Sequence, residues 1–400
     1  MYDPFPLVTV KKKGSTVVET FPFPGWTAGT IPMPVRVDKF PSRGNLVQDA
    51  IAKAIAGNVV LWIENTVAEA QDTFTLAKFL AKGATDVGLL HSRFTTQDRG
   101  EAEGEWISRL GKGGHRSGCL LVSTQVCEQS IDIDADILYT SMCPTDMLLQ
   151  RIGRMWRHRA NDAMRLISEP VVNIFGVNDI LLAMANSVSD IKAYKGLQKS
   201  WGKSAWVYDM YTLCCSAEVW NSMPYVTIPD DMRFLLETTY SVPPNLPYNF
   251  LKAMRDADKA SYTSIANAAA NTARLFSDVP HISTDEETST RLVEDGSRKV
   301  CLVTAVDTTL HGEPIGYPAG MWVDKSKVKK AILMSSLTLP PKSIGAIGPN
   351  IVKDVTGDKY TETVHMRKVS STTWVPVDVT TGVSIPKMTY TQEKGWQHAK

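Results

Sequence analysis

The sequence predicts an α/β lobe built on a parallel sheet, followed by a mainly helical segment and a small β-rich domain. Three observations predict it. Short apolar runs alternate with helical stripes between residues 46 and 178. Prolines interrupt helix-favouring sequence between 179 and 280, and Val, Thr and Ile become frequent beyond 290. Short apolar strands separated by helices belong to a parallel sheet covered on both faces.

Residues 1–45 are rich in Pro and Gly, carry Lys11-Lys12-Lys13 and show no helical period. They read as an extended lead-in segment with one strand at Thr16–Thr20. Asn58–Ile63 (NVVLWI) is the first apolar run of the lobe. Asn65-Thr66 then opens a helix, because Thr66 and Glu69 have the spacing of a capping box. Val67, Ala70, Phe74, Ala77, Phe79 and Leu80 approximate its apolar stripe, and Gly83 stops it. A strand at Val87–Leu90 leads to a polar helix through Trp106 and Leu110, and Gly111–Gly114 punctuate the chain. Strands follow at Cys119–Ser123 and Asp136–Thr140, then a helix at Thr145–Trp156 and a strand at Val171–Phe175.

The segment 179–280 is broken at Pro224, Pro229, Pro243-Pro244 and Pro247, and Ser264–Phe276 is alanine-rich and helix-favouring. Residues 281–400 read as a separate domain, with strand-type sequence at Lys299–Val306, Lys329–Ser335 and Thr361–Val375. Ligands of a parallel sheet bind at the C-terminal ends of its strands, and the motifs below are expected there.

A chain of 400 residues can form two or three domains. It is 43% apolar and 21% charged, with a net charge of +1. No apolar run is long enough for a membrane span, and no signal-peptide pattern opens the chain, so a cytoplasmic protein without a membrane partner is expected. Near-neutrality neither advertises nor excludes nucleic acid, since a groove needs only a local basic stripe. The six cysteines form no C-x-x-C pair and read as buried core thiols of a reducing compartment. No H-E-x-x-H and no His-Asp dipeptide is present, which argues against a zinc protease or an HD-type metal nuclease within this chain.

The sharpest chemical signal is Gln150-Arg151-Ile152-Gly153-Arg154-Met155-Trp156-Arg157, which fits Q-x-x-G-R-x-x-R. On a helix, Arg154 and Arg157 would share a face and reach one anion together. Guanidinium groups suit phosphate because they stay charged and donate in parallel pairs. Across a cleft from a nucleotide, arginines of this kind are worth ~10³–10⁵ in rate. The plain alternative is a solvated basic face. Upstream, the segment from Ser123 to Asp134 leaves a buried strand and carries Thr124, Glu128, Asp132 and Asp134. Its three carboxylates fit either a metal site or, by preference, the orientation of neighbouring arginines. Thr124 at a strand end is placed for a nucleic-acid phosphate. Trp106, Trp156, Trp201, Trp206 and Trp220 could stack on bases, but single tryptophans in helices are more often core residues. Trp156 reads as the anchor of the arginine-bearing helix.

Together these segments resemble motifs V and VI of superfamily 2 helicases. More narrowly, E-Q-S-x-D-x-D followed by L-L-Q-R-x-G-R-x-x-R-H resembles the helicase-nuclease effector of type I CRISPR systems. Gln129-Ser130-Ile131-Asp132 stands where most other superfamily 2 families carry R-G-x-D. The resemblance implies a RecA-like lobe of the P-loop NTPase type at 46–178, with Gln150, Gly153, Arg154 and Arg157 at the ATP phosphates. It places Asp132 on the ribose side of the nucleotide and Thr124 on the DNA backbone. Asn65-Thr66-Val67 resembles motif IV, and His91-Ser92-Arg93-Phe94 with Arg99 resembles a strand-end motif that contacts DNA backbone. Tyr208–Tyr240 is similar to the family's linker region, and Thr290–Glu294 to the start of its C-terminal domain.

Such motors hydrolyse ATP between two lobes, and the first supplies G-x-x-x-x-G-K-[ST] and an acidic Mg²⁺ site. Neither is in this sequence. Gly196–Ser204 has five residues between its glycines rather than four, and no buried strand leads into it. Pro6-Leu7-Val8-Thr9 resembles the stretch that joins the two lobes. The resemblance therefore implies ATP and Mg²⁺ shared with a first lobe, supplied with an HD nuclease domain in cis or trans. Single-stranded DNA and a CRISPR surveillance complex are the implied partners. A split gene product, an internal-start product, a truncated frame and a fragment fit equally. Two other readings are a superfamily 2 translocase outside CRISPR and a non-catalytic binding module derived from the helicase.

Overall fold

Val59–Ile63 form a strand in which every residue is at most 1% exposed. Val59, Leu61 and Ile63 enter one hydrophobic core, while Val60 and Trp62 enter another. That alternation is the period of two that a pleated strand imposes. A strand buried on both faces and both edges is the middle of a covered sheet. The structure is a computed structural model. It describes residues 7–14, 16–22, 31–129, 131–185, 204–205, 207–241, 297–305, 308–315, 324–353 and 362–398.

In chain order, β1 (Leu7–Lys11) and β2 (Val18–Pro22) form a separate two-stranded sheet, and the lobe begins with β3 (Ile31–Val37), α1 (Arg43–Ile55), β4 (Val59–Ile63) and α2 (Val67–Ala81). β5 (Asp86–Leu90), α3 (Thr96–Leu110), β6 (Cys119–Ser123), α4 (Val126–Gln129), β7 (Ile137–Ser141) and α5 (Thr145–Ile152) follow. Then come β8 (Val171–Phe175), α6 (Val177–Ala185), α7 (Met210–Asn221), β9 (Tyr225–Ile228) and α8 (Met232–Tyr240). The seven-stranded sheet has the order β5-β6-β4-β7-β8-β3-β9. Every pairing in it is parallel except that of β9 with β3.

The sheet draws strands from both sides of residues 46–178. β3 pairs with β8 from within the proline-rich lead-in, and β9 caps the edge from within the segment read as helical. Prolines 32 and 34 do not break β3, since it keeps its ladder through Val35, Arg36 and Val37. The described helices α7 and α8 bury Leu213, Cys214, Ala217, Trp220 and Leu235 in the lobe's larger core. The helix-favouring stretch 264–276 and the segment 290–294 lie outside the described residues.

Local signals explain most helix starts. The Thr66 side chain caps α2 by accepting from the Glu69 N–H at 3.3 Å and donates to the Glu69 carboxylate at 2.6 Å. Lys82 ends α2 in the left-handed region with φ 48°. Phe79, placed on the stripe by spacing, is 72% exposed and stands clear of the core. The six cysteines are all buried thiols. Desolvation pushes Cys119, Cys127, Cys143 and Cys301 up to about 12, which keeps them protonated and inert. Among the described residues no helix is long and apolar enough to cross a membrane.

The C-terminal domain is a separate mixed sheet. β10 (Arg298–Ala305) pairs with β11 (Thr308–Thr309), β12 (Ser336–Leu339) and, in parallel, β14 (Glu362–Ser370). β13 (Ile351–Lys353), β15 (Thr373–Pro376), β16 (Met388–Thr391) and β17 (Gly395–His398) complete it antiparallel. One expected strand is a helix. Lys325–Met334 form α9, capped by Asp324, and Pro341–Ile347 form α10. Val328, Ala331 and Ile332 are spaced for one helical face, and Val328 and Ile332 are the stretch's only β-branched residues among helix-favouring Lys, Ala, Leu and Met.

Gly118, where the chain turns into β6, touches backbone on two sides. A Cβ there would lie 2.1 Å from the Ala54 carbonyl oxygen and 2.6 Å from Gly57 Cα. Neither neighbour is a flexible side chain, so Gly118→Ala is expected to destabilise the lobe by about 3 kcal/mol, the upper range of overpacking. Urea unfolding of the two proteins measures it; an unchanged midpoint would show that α1 moves aside at little cost.

Candidate functional site

α5 sets the site by carrying a charged residue on its buried face. Thr145, Leu148, Leu149, Arg151 and Ile152 are the buried residues of this helix. Arg151 is 0% exposed, and its five N–H donors all find acceptors. Nε donates to Glu128 Oε1 at 2.9 Å. Nη1 donates to Thr140 Oγ1 at 2.7 Å and to the Ser141 carbonyl at 3.1 Å. Nη2 donates to Asn65 Oδ1 at 2.9 Å and to the Tyr208 hydroxyl at 3.2 Å. Burial opposes the charge, and the paired Glu128 carboxylate with the surrounding acceptors outweighs it, so the group stays protonated. One side chain thus ties the ends of β4 and β7, the loop after β6 and the segment before α7.

A second set of charges fixes the chain beyond α5. Asp134, 0% exposed, accepts from Arg157 N–H at 2.9 Å, Asn161 Nδ2 at 2.7 Å and Arg165 Nη2 at 2.7 Å. Asp136 accepts from Val59 N–H at 2.8 Å, from Arg165 Nη1 at 2.8 Å and from Arg116. The three upstream carboxylates therefore each face a guanidinium: Glu128 with Arg151, Asp134 with Arg165 and Asp132 with Arg157 at 3.3 Å. Among the described residues no His, Cys, Asp and Glu group is arranged to hold a metal ion.

Two expectations about the arginines are corrected. α5 ends at Ile152, not Trp156, so Arg154 and Arg157 do not share a helical face. Gly153 caps the helix, and Met155 then bridges in parallel to Ala135, with Ala135 N–H donating to the Arg154 carbonyl at 2.8 Å. Trp156 adopts φ 46° and lies under Arg165, whose guanidinium carbon is 4.6 Å from the ring centroid. It follows the helix rather than anchoring it. The arginines also do not lie at the C-terminal ends of the strands. α5 runs back along the sheet and delivers them beside Asp134–Asp136, where the chain enters β7.

The structure nonetheless brings Arg154, Arg157 and Asp132 together. Arg154 Nη1 donates to the Ile131 carbonyl at 3.0 Å, and Nη2 donates to the Glu128 carbonyl. Its Nε is buried without a hydrogen-bond partner. Desolvation, and then the charge of Arg157, lowers its pKa. Asp132 meets both Arg157 and His158 Nε2, the latter at 2.9 Å. Gly153 is exposed and Gln150 half-buried beside them.

The other sequence-selected residues fall in two places. Asn65 and Thr124 are buried, 1% and 2% exposed, and the Asn65 amide is used by Arg151, the Met142 carbonyl and Ser204. Thr66, partly exposed, caps α2. His91, Ser92 and Arg93 follow β5, and of these His91 is buried, Arg93 partly exposed and Ser92 exposed. His91 is buried against the C-terminal domain, and burial with the nearby charge of Arg93 lowers its pKa from 6.5 to about 3. Sequence reasoning missed Arg151, Arg116, Arg165 and Tyr208. Only Arg151 left a signal, as an arginine on the apolar stripe with Leu148 and Ile152, which demands a buried partner.

A RecA-like lobe, in a sequence that carries no G-x-x-x-x-G-K-[ST], is what this sheet and arginine face define. A family model described as "CRISPR-associated nuclease/helicase Cas3, C-terminal" matches residues 56–160, the stretch that holds these groups. The CRISPR-associated endonuclease/helicase Cas3 of Escherichia coli K12 is 46% identical over 114 residues, 28% of this chain and 13% of that protein. The Cas3 of Thermus thermophilus is 33% identical over 206 residues, 50% of this chain and 20% of that protein. The chain thus matches only a fraction of the length of these relatives. Among solved structures, T. fusca Cas3-AMPPNP superimposes with a TM-score of 0.66 at 18% identity, covering 95% of this chain and 44% of that one. Residues 56–160 thus match a Cas3-family C-terminal domain, and the fold of the chain is that of part of larger Cas3 structures.

Two measurements check this geometry. Arg151→Met takes the guanidinium away from the buried Glu128 carboxylate, which is expected to cost about 3–5 kcal/mol of stability. Adding Glu128→Leu should recover most of that loss in denaturant titrations; a double variant no more stable than the single one would contradict the buried-pair account. For His91 the unfolded group takes up a proton below pH 6.5 while the folded one resists until about 3. Its contribution is therefore complete above pH 6.5 and is lost as the pH falls from there towards 3. The thermal midpoint of the wild type should drop over that window, and His91→Gln should remove that part of the drop.

Proposed function

We propose that this chain is the nucleotide-closing half of an ATP-dependent single-stranded DNA translocase acting in type I CRISPR interference. The observation that carries the reading is the arginine face: Arg154 and Arg157 beside Gly153 and Asp132, on a loop that the buried Arg151–Glu128 pair fixes. Support comes from the Cas3-family match across this stretch and from the surveillance-complex structure (TM-score 0.62, 18% identity, 95% of this chain and 45% of that chain). In this reading the motor lobe is centred on 46–178 and takes β3 from the 1–45 lead-in and β9, α7 and α8 from the 179–280 linker region, with an accessory domain at 281–400.

The chemistry of the donor set fits a polyphosphate and does not complete a site. Arg154 donates to two neutral backbone carbonyls and Arg157 pairs with a half-exposed, solvent-screened carboxylate, partners that a phosphate group can replace. Gln150 lines the same edge, and Asp132 would meet the ribose side. The sequence carries no G-x-x-x-x-G-K-[ST], and the described residues hold no metal-type cluster, so the phosphate cradle and Mg²⁺ belong to a first lobe. ATP supplies the γ-phosphoryl group whose transfer drives the cycle. This chain's arginines would neutralise charge on it when the lobes close. Asn65, Thr66, His91, Ser92, Arg93 and Thr124 are the residues proposed by family resemblance for the DNA backbone. Of these, Thr66, Ser92 and Arg93 have the exposure to reach it in this conformation.

The experiment combines the chain with a Cas3-family first lobe and single-stranded DNA, and measures ATP hydrolysis. Arg154→Ala is expected to lower turnover by ~10³-fold or more while leaving DNA affinity within a few-fold of the wild type. Turnover indifferent to both Arg154→Ala and Arg157→Ala would remove the arginine-finger role. DNA affinity lost along with turnover would instead make this face a DNA-binding one.

A further inference from the structure

The strand-end residues after β5 are engaged by the C-terminal domain. Gln71 Nε2, on α2, donates to the Lys394 carbonyl at 2.7 Å and the Trp396 carbonyl at 3.0 Å. His91 Nδ1 accepts the Arg93 N–H at 3.1 Å, which leaves the ring proton on Nε2. That atom lies 3.0 Å from the same Lys394 carbonyl, so both lone pairs of one oxygen are used. The Trp396 N–H returns a bond of 2.7 Å to the Arg93 carbonyl. Between them Gly395 sits at φ 64°, where a Cβ would lie 2.4 Å from the Arg93 carbonyl oxygen and 2.8 Å from His91 Cε1. The His91 ring stacks on Phe94 with centroids 4.4 Å apart.

One turn further on, the same seam is closed a second time. The Tyr390 hydroxyl, on a 0% exposed residue, accepts the Thr95 N–H at 3.1 Å and donates to the Asp98 carboxylate. His311 Nε2 lies 3.0 Å from Thr95 Oγ1, and Thr96 Oγ1 donates to the Ser336 carbonyl at 3.3 Å. Lys78 and Glu393 add an ion pair of 2.5 Å at the rim. The partners are hundreds of residues apart in sequence and mostly buried. Parting them strands donors and acceptors on both sides, and each stranded group carries a desolvation penalty.

We propose that this seam is a rigid joint: the RecA-like lobe and the C-terminal domain move as one body, and Gln71, His91 and Tyr390 are its positioning residues. A side chain at 0% exposure with its ring nitrogens engaged inside the protein has no free atom for a DNA phosphate, so His91 serves the joint. The inference deepens the motor reading, because any motion that closes the lobe on a nucleotide would then carry the C-terminal domain with it. The joint itself rests on the contacts alone.

Hydrogen exchange and urea unfolding of the whole chain, without nucleotide or DNA, test it. In the wild type, the amides of 93–98 and of 388–396 are expected to open together, with the lobe and the C-terminal sheet unfolding in one transition. Tyr390→Phe keeps the ring and removes only the hydroxyl, and it is expected to speed exchange at 95–98 by about tenfold, the equivalent of one buried hydrogen bond. Gly395→Val should separate the two transitions outright. Should it fail to fold, the double variant Gln71→Ala/Tyr390→Phe makes the same test with smaller side chains. Two independent transitions in the wild type would overturn the joint. So would exchange at 95–98 that neither Tyr390→Phe nor the double variant alters. Since no ligand is present, these outcomes do not depend on the motor reading; loss of reconstituted ATP turnover in the wild type would sink that reading and leave the joint standing.

Discussion

The buried guanidinium of Arg151 is the constraint from which the rest of the site follows. A charge with no exposure survives only when each of its donors is used, and Arg151 spends all five on residues from four separate parts of the chain. A hydrophobic residue of similar volume could fill the space, but it would not dictate where Glu128, Asn65, Thr140 and Tyr208 stand relative to one another. The pair therefore specifies geometry more than it adds stability. Its consequence is felt three residues later, past the end of α5, where Arg154 is delivered onto the carbonyls of Glu128 and Ile131.

Around this point the charges are layered by burial. Glu128, Asp134 and Asp136 are buried and committed to Arg151, Arg165 and Arg116. Asp132, Arg157 and Arg154 are half-exposed and held by weaker contacts. The inner layer fixes the loop, and the outer layer is left able to exchange partners. Such a division suits a site that must present cations to a ligand held elsewhere without rebuilding itself each time.

Much of the lobe was legible because its signals are local. The runs NVVLWI and CLLVS could only be strands buried on both faces, and Thr66 with Glu69 marked a helix start that the structure places at Val67. Q-x-x-G-R-x-x-R located the arginines, yet their placement was misjudged, because the Met155–Ala135 bridge that ends α5 is a long-range pairing with no sequence signature. β3 was hidden behind prolines that an edge-proximal strand tolerates, and β9 behind a proline-broken segment. The helix at Lys325–Met334 was misread as part of a β-rich region although its own composition and apolar spacing favoured a helix. The seam at His91 could not be foreseen, since it depends on backbone carbonyls some three hundred residues away.

The most direct test of the half-motor account is ATP hydrolysis by this chain alone, with single-stranded DNA present and Arg154→Ala alongside. The account predicts no turnover by either protein, since the sequence carries no G-x-x-x-x-G-K-[ST]. Turnover that Arg154→Ala abolishes would mean that a complete nucleotide site exists within this chain, and would contradict it.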